Sequence, residues 1–205
     1  MHATEILKDE HRVIERVLLC LEKIGARAQQ TGKLDESSAR LALDFFVHFC
    51  DGCHHAKEER HLFPLLERKG LARANGPTGV MLREHEDGRK HLQAMTRALP
   101  AATAGAKEAL QRFAFHAQAF ASLLRQHILK EDYRLFPMAD ELLTADEKEA
   151  LARAFIHVEH EDAGAGTHQK YLDIAHELCA RFEVADDAGA GCLHGCACRH
   201  VLVSP

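Results

Sequence analysis

The sequence contains a repeat that limits the folds open to the chain. Residues 54–64 read His-His-Ala-Lys-Glu-Glu-Arg-His-Leu-Phe-Pro, and residues 127–137 read His-Ile-Leu-Lys-Glu-Asp-Tyr-Arg-Leu-Phe-Pro. In each copy a histidine stands four residues before a glutamate, which is just over one helical turn, so both side chains project from the same helix face. Two such pairs on facing helices would form an inward-pointing set of His and Glu ligands similar to that of a di-iron carboxylate bundle.

The repeat extends well beyond these two segments. His11 lies 43 residues before His54, and His85 lies 42 residues before His127. The order His, His-x3-Glu, His, His-x3-Glu therefore divides the chain into two matching halves. One His-x3-Glu pair arises often by chance, whereas two copies inside a longer repeat indicate a shared site.

Apolar residues recur at steps of three and four residues, and no strand-like alternation is evident. We expect an all-α fold, which is an up-and-down four-helix bundle with additional C-terminal helices and a Cys/His-rich tail. The predicted helices span residues 5–30, 36–69, 78–99 and 106–143, followed by helices from 145 to about 163 and from 167 to about 183. Pro64 should kink or weaken the second helix, whose inward face includes Val47, and Pro100 should end the third.

The pattern also suggests a domain organisation. Residues 1–183 are expected to form the helical bundle, with its core at 3–143 and the added helices at 145–183. From residue 184 to residue 205 the chain turns to Ala, Asp and Gly and then to cysteine and histidine, which is typical of a flexible linker with a short tail.

Composition narrows the function classes. A net charge of −5 without a basic block argues against nucleic acid as the main partner. No apolar run approaches about 18 residues, so no membrane span is predicted, and the N-terminus lacks the layout of a signal peptide. A cytoplasmic location is the expectation, in which the seven cysteines would be thiols or ligands rather than disulfides. The sixteen histidines point to a metal.

Six polar residues fall on inward helix faces, where charge is costly unless it is paired or bound to metal. They are His11, His54, Glu58, His85, His127 and Glu131. Nitrogen and carboxylate donors without thiolate suit iron or manganese better than structural zinc. Two carboxylates could bridge two ions served by two histidines each, with coordination positions left open. The alternative is a polar core of satisfied histidines and solvated glutamates.

This order of residues resembles the hemerythrin-like, or HHE cation-binding, domains of the bacterial H-HxxxE-H-HxxxE type. The surrounding segments are similar too, including those at 51–59, 62–64, 76–77, 81–85 and 127–132. The resemblance covers about residues 3–143 and continues to about 183. It implies a non-haem centre of two iron ions with an oxo or hydroxo bridge, in which Glu58 and Glu131 bridge the ions and the four histidines are terminal ligands.

The chain departs from the oxygen-carrying hemerythrins at one ligand. They use a further histidine one turn beyond the one matched by His85, and here that position is Arg89. Glu59 and Asp132 directly follow the two glutamates, so we expect them to hydrogen-bond ligand histidines rather than bind metal. The full set of candidates for an extra ligand or a supporting residue is His55, Glu59, Asp132, Glu159, His160 and His168.

Two groups of cysteines stand outside this pattern. Cys50 and Cys53 form a C-x-x-C pair directly before His54, which could be redox-active or pass electrons to the metal, or could simply pack in the core. A zinc or copper(I) ion could be bound by a cluster near the C-terminus, although its spacing fits no standard zinc finger. Its members are Cys192, His194, Cys196, Cys198 and His200.

The function expected from these features is that of a non-haem di-iron protein. It would bind or react with a small oxidant (oxygen, hydrogen peroxide or nitric oxide) as a sensor, a carrier or a detoxifying redox protein. No separate nucleophile or acid–base dyad is evident, so any catalase-like, peroxidase-like or nitric-oxide-handling activity would rest on the metal centre, with an unknown redox partner as electron donor. The alternative is iron storage, iron donation or metal sensing. The oligomeric state is left open by the sequence.

Overall fold

The computed structural model describes residues 3–159 and 167–185, and all regular elements within these ranges are helical. The α-helices are α1 (Ala3–Thr31), α2 (Glu36–Phe45), α3 (Phe63–Arg68), α4 (Pro77–Thr103), α5 (Lys107–Lys130), α6 (Phe136–Leu142), α7 (Ala145–His157) and α8 (Thr167–Phe182). Three π-helical segments span Phe46–His55, Glu58–Leu62 and Glu131–Leu135. The all-α fold expected from the sequence is confirmed.

The bundle has four long helices. The first is α1 and the third is α4. The second bundle helix runs without interruption from α2 through two π-helical segments to α3, and the fourth bundle helix runs from α5 through one π-helical segment to α6. In the packing, α5 lies against both α1 and α4, while α8 covers α1 and α2 and α7 lies against α1. The C-terminal helices therefore add a layer to the bundle.

The apolar core is divided into two parts along the bundle axis. The larger part includes Ile14, Cys50, Leu92 and Leu124. The smaller part includes Leu7, Leu62, Met81 and Leu135. On each bundle helix, the histidines and glutamates of the repeat lie between a residue of one part and a residue of the other. The sequence pattern thus builds a polar layer that is closed by hydrophobic packing above and below.

Local signals fix the helix ends. Gly32 adopts a left-handed conformation with φ of 68° directly after α1, a conformation that glycine reaches without steric cost. The Asp35 side chain then accepts a hydrogen bond from the Ser38 backbone N–H at 3.1 Å and caps α2. Before α7, Thr144 and Glu147 form the reciprocal capping box that their spacing predicts.

The two repeated prolines follow π-helical turns at matching places. The Phe63 N–H donates to the Glu58 carbonyl, and the Phe136 N–H donates to the Glu131 carbonyl, each five residues back. Proline lacks an N–H and its ring crowds the carbonyl four residues earlier. The wider turns before Pro64 and Pro137 relieve this crowding, so the expected weak point takes the form of a local change of helix type.

Two expectations about helix faces and ends were wrong. Pro100 lies inside α4, which continues to Thr103. A proline this close to a helix end removes a single intrahelical hydrogen bond and is tolerated for one more turn. Val47 is 41% exposed rather than inward-facing. It lies in the π-helical segment Phe46–His55, where hydrogen bonds span five residues and the 3.6-residue periodicity no longer assigns faces.

None of the helices within 3–159 and 167–185 combines the length and the apolar content needed to cross a bilayer. Several sequence expectations fall outside these ranges. They are the helix break at 164–166, His160, and the cluster formed by Cys192, His194, Cys196, Cys198 and His200. The division into a bundle at 1–183 and a tail at 184–205 stays a prediction.

Candidate metal centre

All four bundle helices contribute to one polar layer inside the core. Each helix brings one histidine to it, and the second and fourth helices also bring a glutamate one turn further along. None of the six side chains is more than 1% exposed: His11, His54, Glu58, His85, His127 and Glu131. The structure therefore brings together the whole set of candidate ligands.

The histidines form two close pairs, one from each half of the repeat. Nε2 of His11 lies 3.0 Å from Nε2 of His54. In the second half, Nε2 of His85 lies 3.0 Å from Nε2 of His127. The two Nε2 atoms of each pair thus face one point, and their separation suits two ligands of a single ion.

The two carboxylates connect these pairs. Glu58 places Oε1 3.8 Å from His54 Nε2 and Oε2 3.5 Å from His85 Nε2. Glu131 places Oε2 3.3 Å from His11 Nε2 and 3.2 Å from His127 Nε2. Each carboxylate therefore reaches one histidine of each pair, which is the arrangement of a group that bridges two ions.

The carboxylate oxygens themselves lack compensating donors. In the part of the chain that the structure describes, none of the four oxygens of Glu58 and Glu131 receives a hydrogen bond, although all four are buried. Leaving a buried charged group without a donor costs about 1–3 kcal/mol or more. Bound cations would satisfy all four oxygens, so the residues present fit a metal centre.

The pKa values of Glu58 and Glu131 show that ionisation of two buried acids beside each other is unfavourable. Burial and the facing Glu131 raise the pKa of Glu58 well above its usual range. Burial also opposes ionisation of Glu131, but His127 and His11 outweigh it and hold its pKa well below its usual value. For His127, burial lowers the pKa and Glu131 raises it more, to about 9. The two buried acids thus oppose each other's ionisation.

A second ring of carboxylates fixes the histidines. The Nδ1–H of each ring donates to an acid, so Nε2 is left facing the centre in one tautomer. Within each half, Glu10 accepts from His54 at 2.9 Å and Glu84 accepts from His127 at 3.0 Å. Across the halves, Asp132 accepts from His11 at 2.8 Å and Glu59 accepts from His85 at 2.7 Å. Glu59 and Asp132 thus accept hydrogen bonds from candidate ligand histidines, and their role as supporting residues stays a prediction.

Basic residues stand behind these carboxylates. Lys57 donates to Glu10, and Lys130, at the matching place in the second half, donates to Glu84. Glu159 accepts a second hydrogen bond from Lys57 at 2.6 Å, so it supports the outer ring and does not reach the centre. Glu10, Glu84 and the two lysines were not among the residues predicted from the sequence. The repeat could have identified them, because a glutamate precedes the first histidine of each half and a lysine precedes the ligand glutamate of each half.

Ligand-capable atoms lying within 4.8 Å of one another form three groups in the described residues. Two of them share Glu58. The first group is His11, His54, Glu58 and Glu131, and the second is His55, Glu58, His85 and His127. Of the candidates for an extra ligand that lie within the described residues, His55 alone joins a group with members of the central six. His168 belongs to the third group, with Glu10 and Cys53.

The C-x-x-C cysteines have different surroundings. Cys50 packs in the larger core with its Sγ 3.8 Å from His55 Nε2, whereas Cys53 lies in a small cluster with Ala56 and Val158. Both are free thiols. Burial raises the pKa of Cys50 well above its usual value and that of Cys53 to about 12. Thiols held in the protonated form react slowly, so these surroundings favour packing, and a redox role for the pair stays a prediction.

Comparison with known proteins gives a family and three relatives. The family model for the hemerythrin HHE cation binding domain matches residues 2–139. The chain is similar to uncharacterized protein Mb2018 of Mycobacterium bovis and to uncharacterized proteins Rv1995 and MT2051 of Mycobacterium tuberculosis, with 27% identity over 171 residues in each case. The match covers 83% of this chain and 66% of each relative, so the chain spans just under two thirds of their length. No solved structure matches the chain.

Proposed function

The chain belongs to the hemerythrin HHE cation-binding domain family, and from this premise we propose that it holds two iron ions and reacts with a small oxidant. The oxidant is oxygen, hydrogen peroxide or nitric oxide. The observation that carries the proposal is the position of Glu58 and Glu131. Their buried oxygens reach both histidine pairs and receive no hydrogen bond from the described part of the chain. A polar core without metal would leave these oxygens uncompensated.

The donor set supports iron over structural zinc. The central six residues offer four imidazole nitrogens and two carboxylates and no thiolate. This mixture suits iron, whereas structural zinc prefers a closed set of four ligands that often includes cysteine. The Cys50 thiol contacts His55. With few protein ligands for two ions, iron would retain open positions and supply redox chemistry to a small ligand.

The surroundings restrict what can react there. The six central side chains are at most 1% exposed, and two apolar clusters lie on either side of them. Access is therefore limited to molecules of a few atoms, which supports a diatomic gas or a peroxide over an organic substrate. The same burial supports retention of the metal over ready donation to another protein.

The chain's own residues would prepare the centre. The carboxylates of Glu10, Glu59, Glu84 and Asp132 hold each imidazole in the tautomer whose Nε2 is free to bind metal. Such supporting bonds orient the ring and increase its basicity as a ligand. Glu58 and Glu131 would keep two ions at a fixed separation and neutralise part of their charge.

Metal analysis of the full chain tests this proposal. After anaerobic reconstitution with ferrous iron and exposure to air, we expect close to two irons per chain and an absorption band of an oxo-bridged pair. Rapid gas release from added peroxide would assign turnover, and a reversible spectral change with oxygen or nitric oxide would assign a carrier or sensor. Fast loss of the iron to a mild chelator would instead support storage or donation. Failure to hold iron at all would refute the proposal.

A further inference from the structure

We propose that Cys20 and Cys179 form a site of oxidation by hydroperoxides, at which one molecule of hydrogen peroxide joins the two thiols as a disulfide. The new bond would connect α1 to α8, which lie at opposite ends of the described chain. The site uses none of the six central residues, so it does not depend on the proposed iron centre.

The two cysteines lie where α8 packs against α1. Cys20 is 0% exposed and Cys179 is 4% exposed, and both belong to the larger part of the apolar core. Both are free thiols, and they form a hydrogen bond with each other. Thiols in such contact already lie close to the approach that a disulfide requires.

Contacts near the cysteines hold α8 in this register. Lys23 and Phe182 each lie three residues beyond one of the two cysteines. The Lys23 ammonium donates to the Phe182 carbonyl oxygen at 2.7 Å, and the Arg27 guanidinium lies 5.0 Å from the centre of the Phe182 ring. On the other side of α8, Arg181 donates to the Ser38 hydroxyl of α2 at 3.1 Å. These contacts keep the two thiols facing each other.

The surroundings favour ionisation of one of the two thiols. The hydrogen bond from Cys20 lowers the pKa of the Cys179 thiol below its usual value, burial opposes this shift, and the charge of Arg16 adds to it. The same hydrogen bond and burial raise the pKa of Cys20. Arg16 and Lys23 lie one helical turn before and after Cys20. Because a thiolate beside cationic groups is the reactive form of cysteine, Cys179 is the attacking residue and Cys20 closes the disulfide.

The reaction balances with hydrogen peroxide as the oxidant. The Cys179 thiolate attacks one peroxide oxygen, the O–O bond breaks, and the leaving hydroxide takes up the proton that the thiol had released. Cys179 is then a sulfenic acid. The Cys20 sulfur attacks the Cys179 sulfur, so the S–S bond forms as the S–O bond breaks, and the Cys20 proton leaves with hydroxide as water. Two thiols lose two electrons in total, and one peroxide is reduced to two waters.

The C-x-x-C cysteines provide a contrast within the same chain. Their spacing made them candidates for a redox pair, but Cys50 and Cys53 pack in different clusters. Burial raises the pKa of both thiols, which keeps them in the less reactive protonated form. We therefore expect peroxide to oxidise Cys20 and Cys179 before this pair.

Peptide mapping of the full chain tests the inference. The reduced protein is treated with hydrogen peroxide in the presence of a metal chelator, blocked with N-ethylmaleimide and digested with trypsin. Cleavage after Lys and Arg places Cys20 alone in peptide 17–23 and Cys179 alone in peptide 171–181. Both cysteines of the C-x-x-C pair fall in peptide 41–57.

The expected product is a single species in which peptides 17–23 and 171–181 are joined, with two hydrogen atoms fewer than the separate peptides. Dithiothreitol should release them, and peptide 41–57 should stay alkylated at both cysteines. Recovery of peptides 17–23 and 171–181 as separate alkylated species after peroxide treatment would overturn the inference.

Single variants test the roles of the two thiols. Alanine is the replacement because a buried cysteine packs as a small hydrophobic residue, and circular dichroism checks the helix content. Cys20→Ala removes the thiol that closes the disulfide, so dimedone should trap a sulfenic acid on peptide 171–181. Cys179→Ala removes the attacking thiolate, so the dimedone label should be lost. The control Cys53→Ala should form the same cross-link as the unsubstituted chain. Equal dimedone labelling of Cys20→Ala and Cys179→Ala would overturn the assigned roles.

Discussion

Lys57 carries a fully buried ammonium group, and its replacement by methionine should strongly destabilise the metal-free protein. The side chain is 0% exposed and donates to Glu10 and Glu159. Glu10 is itself 4% exposed and accepts the Nδ1–H of His54. Lys57→Met retains most of the apolar stem and removes the charge. Glu10 would then be a buried carboxylate without its principal cation.

The expected magnitude follows from two independent estimates. Burial opposes ionisation of Glu10, but Lys57 and His54 outweigh it and lower its pKa from 4.5 to about 2. At about 1.4 kcal/mol per pKa unit this corresponds to roughly 3 kcal/mol. Breaking a buried ion pair on one side costs about 3–5 kcal/mol. For a domain of this size, such a loss lowers the melting temperature by roughly 6–20 °C.

Urea unfolding of the chelated protein near neutral pH measures this loss. Lys130→Met is the matched control, because Lys130 pairs with Glu84 at the equivalent place but is 41% exposed; it should cost less than about 1 kcal/mol. Stability from the lowered Glu10 pKa is present above about pH 4.5 and is lost as the pH falls toward 2. The difference between wild type and Lys57→Met should shrink over that interval. Equal losses in the two variants would refute the reasoning.

Three further predictions concern the metal centre. Glu58→Gln should reduce the iron content by at least one ion while circular dichroism shows unchanged helix content, because the buried carboxylate reaches both histidine pairs. The control Glu141→Gln, on the exposed side of α6, should retain both ions. A full iron content in Glu58→Gln would exclude a bridging role. Asp132→Asn should weaken iron binding about 10–100-fold in competition with a chelator, since it removes the carboxylate that orients His11; an unchanged competition curve would contradict this. Iron affinity should fall on acidification, because His127 must lose its proton to bind iron. Burial lowers the pKa of His127, but Glu131 raises it more, to about 9. Each displaced proton costs about tenfold in affinity per pH unit, and an affinity that does not change between about pH 8 and pH 6 would exclude this proton release.

The repeat in the sequence carried the prediction of the polar layer. Periodicity alone assigned inward faces, and the equal spacing of two His-x3-Glu pairs brought six residues to one level of the bundle. The family match and the helical architecture confirm the family and the all-α fold, and the assignment of the six residues as metal ligands stays a prediction. The supporting acids Glu10 and Glu84 were missed because a charged residue next to an inward histidine is normally solvated. Only the three-dimensional packing shows that each of them faces the neighbouring helix.

His55 illustrates a different limit of sequence analysis. It was one of six candidates for an extra ligand, and periodicity offered no reason to prefer it, because an α-helix turns adjacent residues to different sides. The π-helical segment that ends at His55 changes this relation, and it has no simple sequence signature. The same segment explains why Val47 was assigned to the wrong face. Helix type, rather than helix position, was the property that the sequence left undetermined.

The crossing of the two carboxylates has a consequence for how the chain is held together. Glu58 belongs to the first half and reaches His85, while Glu131 belongs to the second half and reaches His11. The loop between α3 and α4 joins the two halves covalently. Bound ions would join them a second time, as a cross-link through the interior. A chain cut in that loop should therefore remain one particle when loaded with iron and be held only by packing when chelated. By the same logic, a single helical hairpin with one half of the motif would form the complete centre by pairing with its own copy.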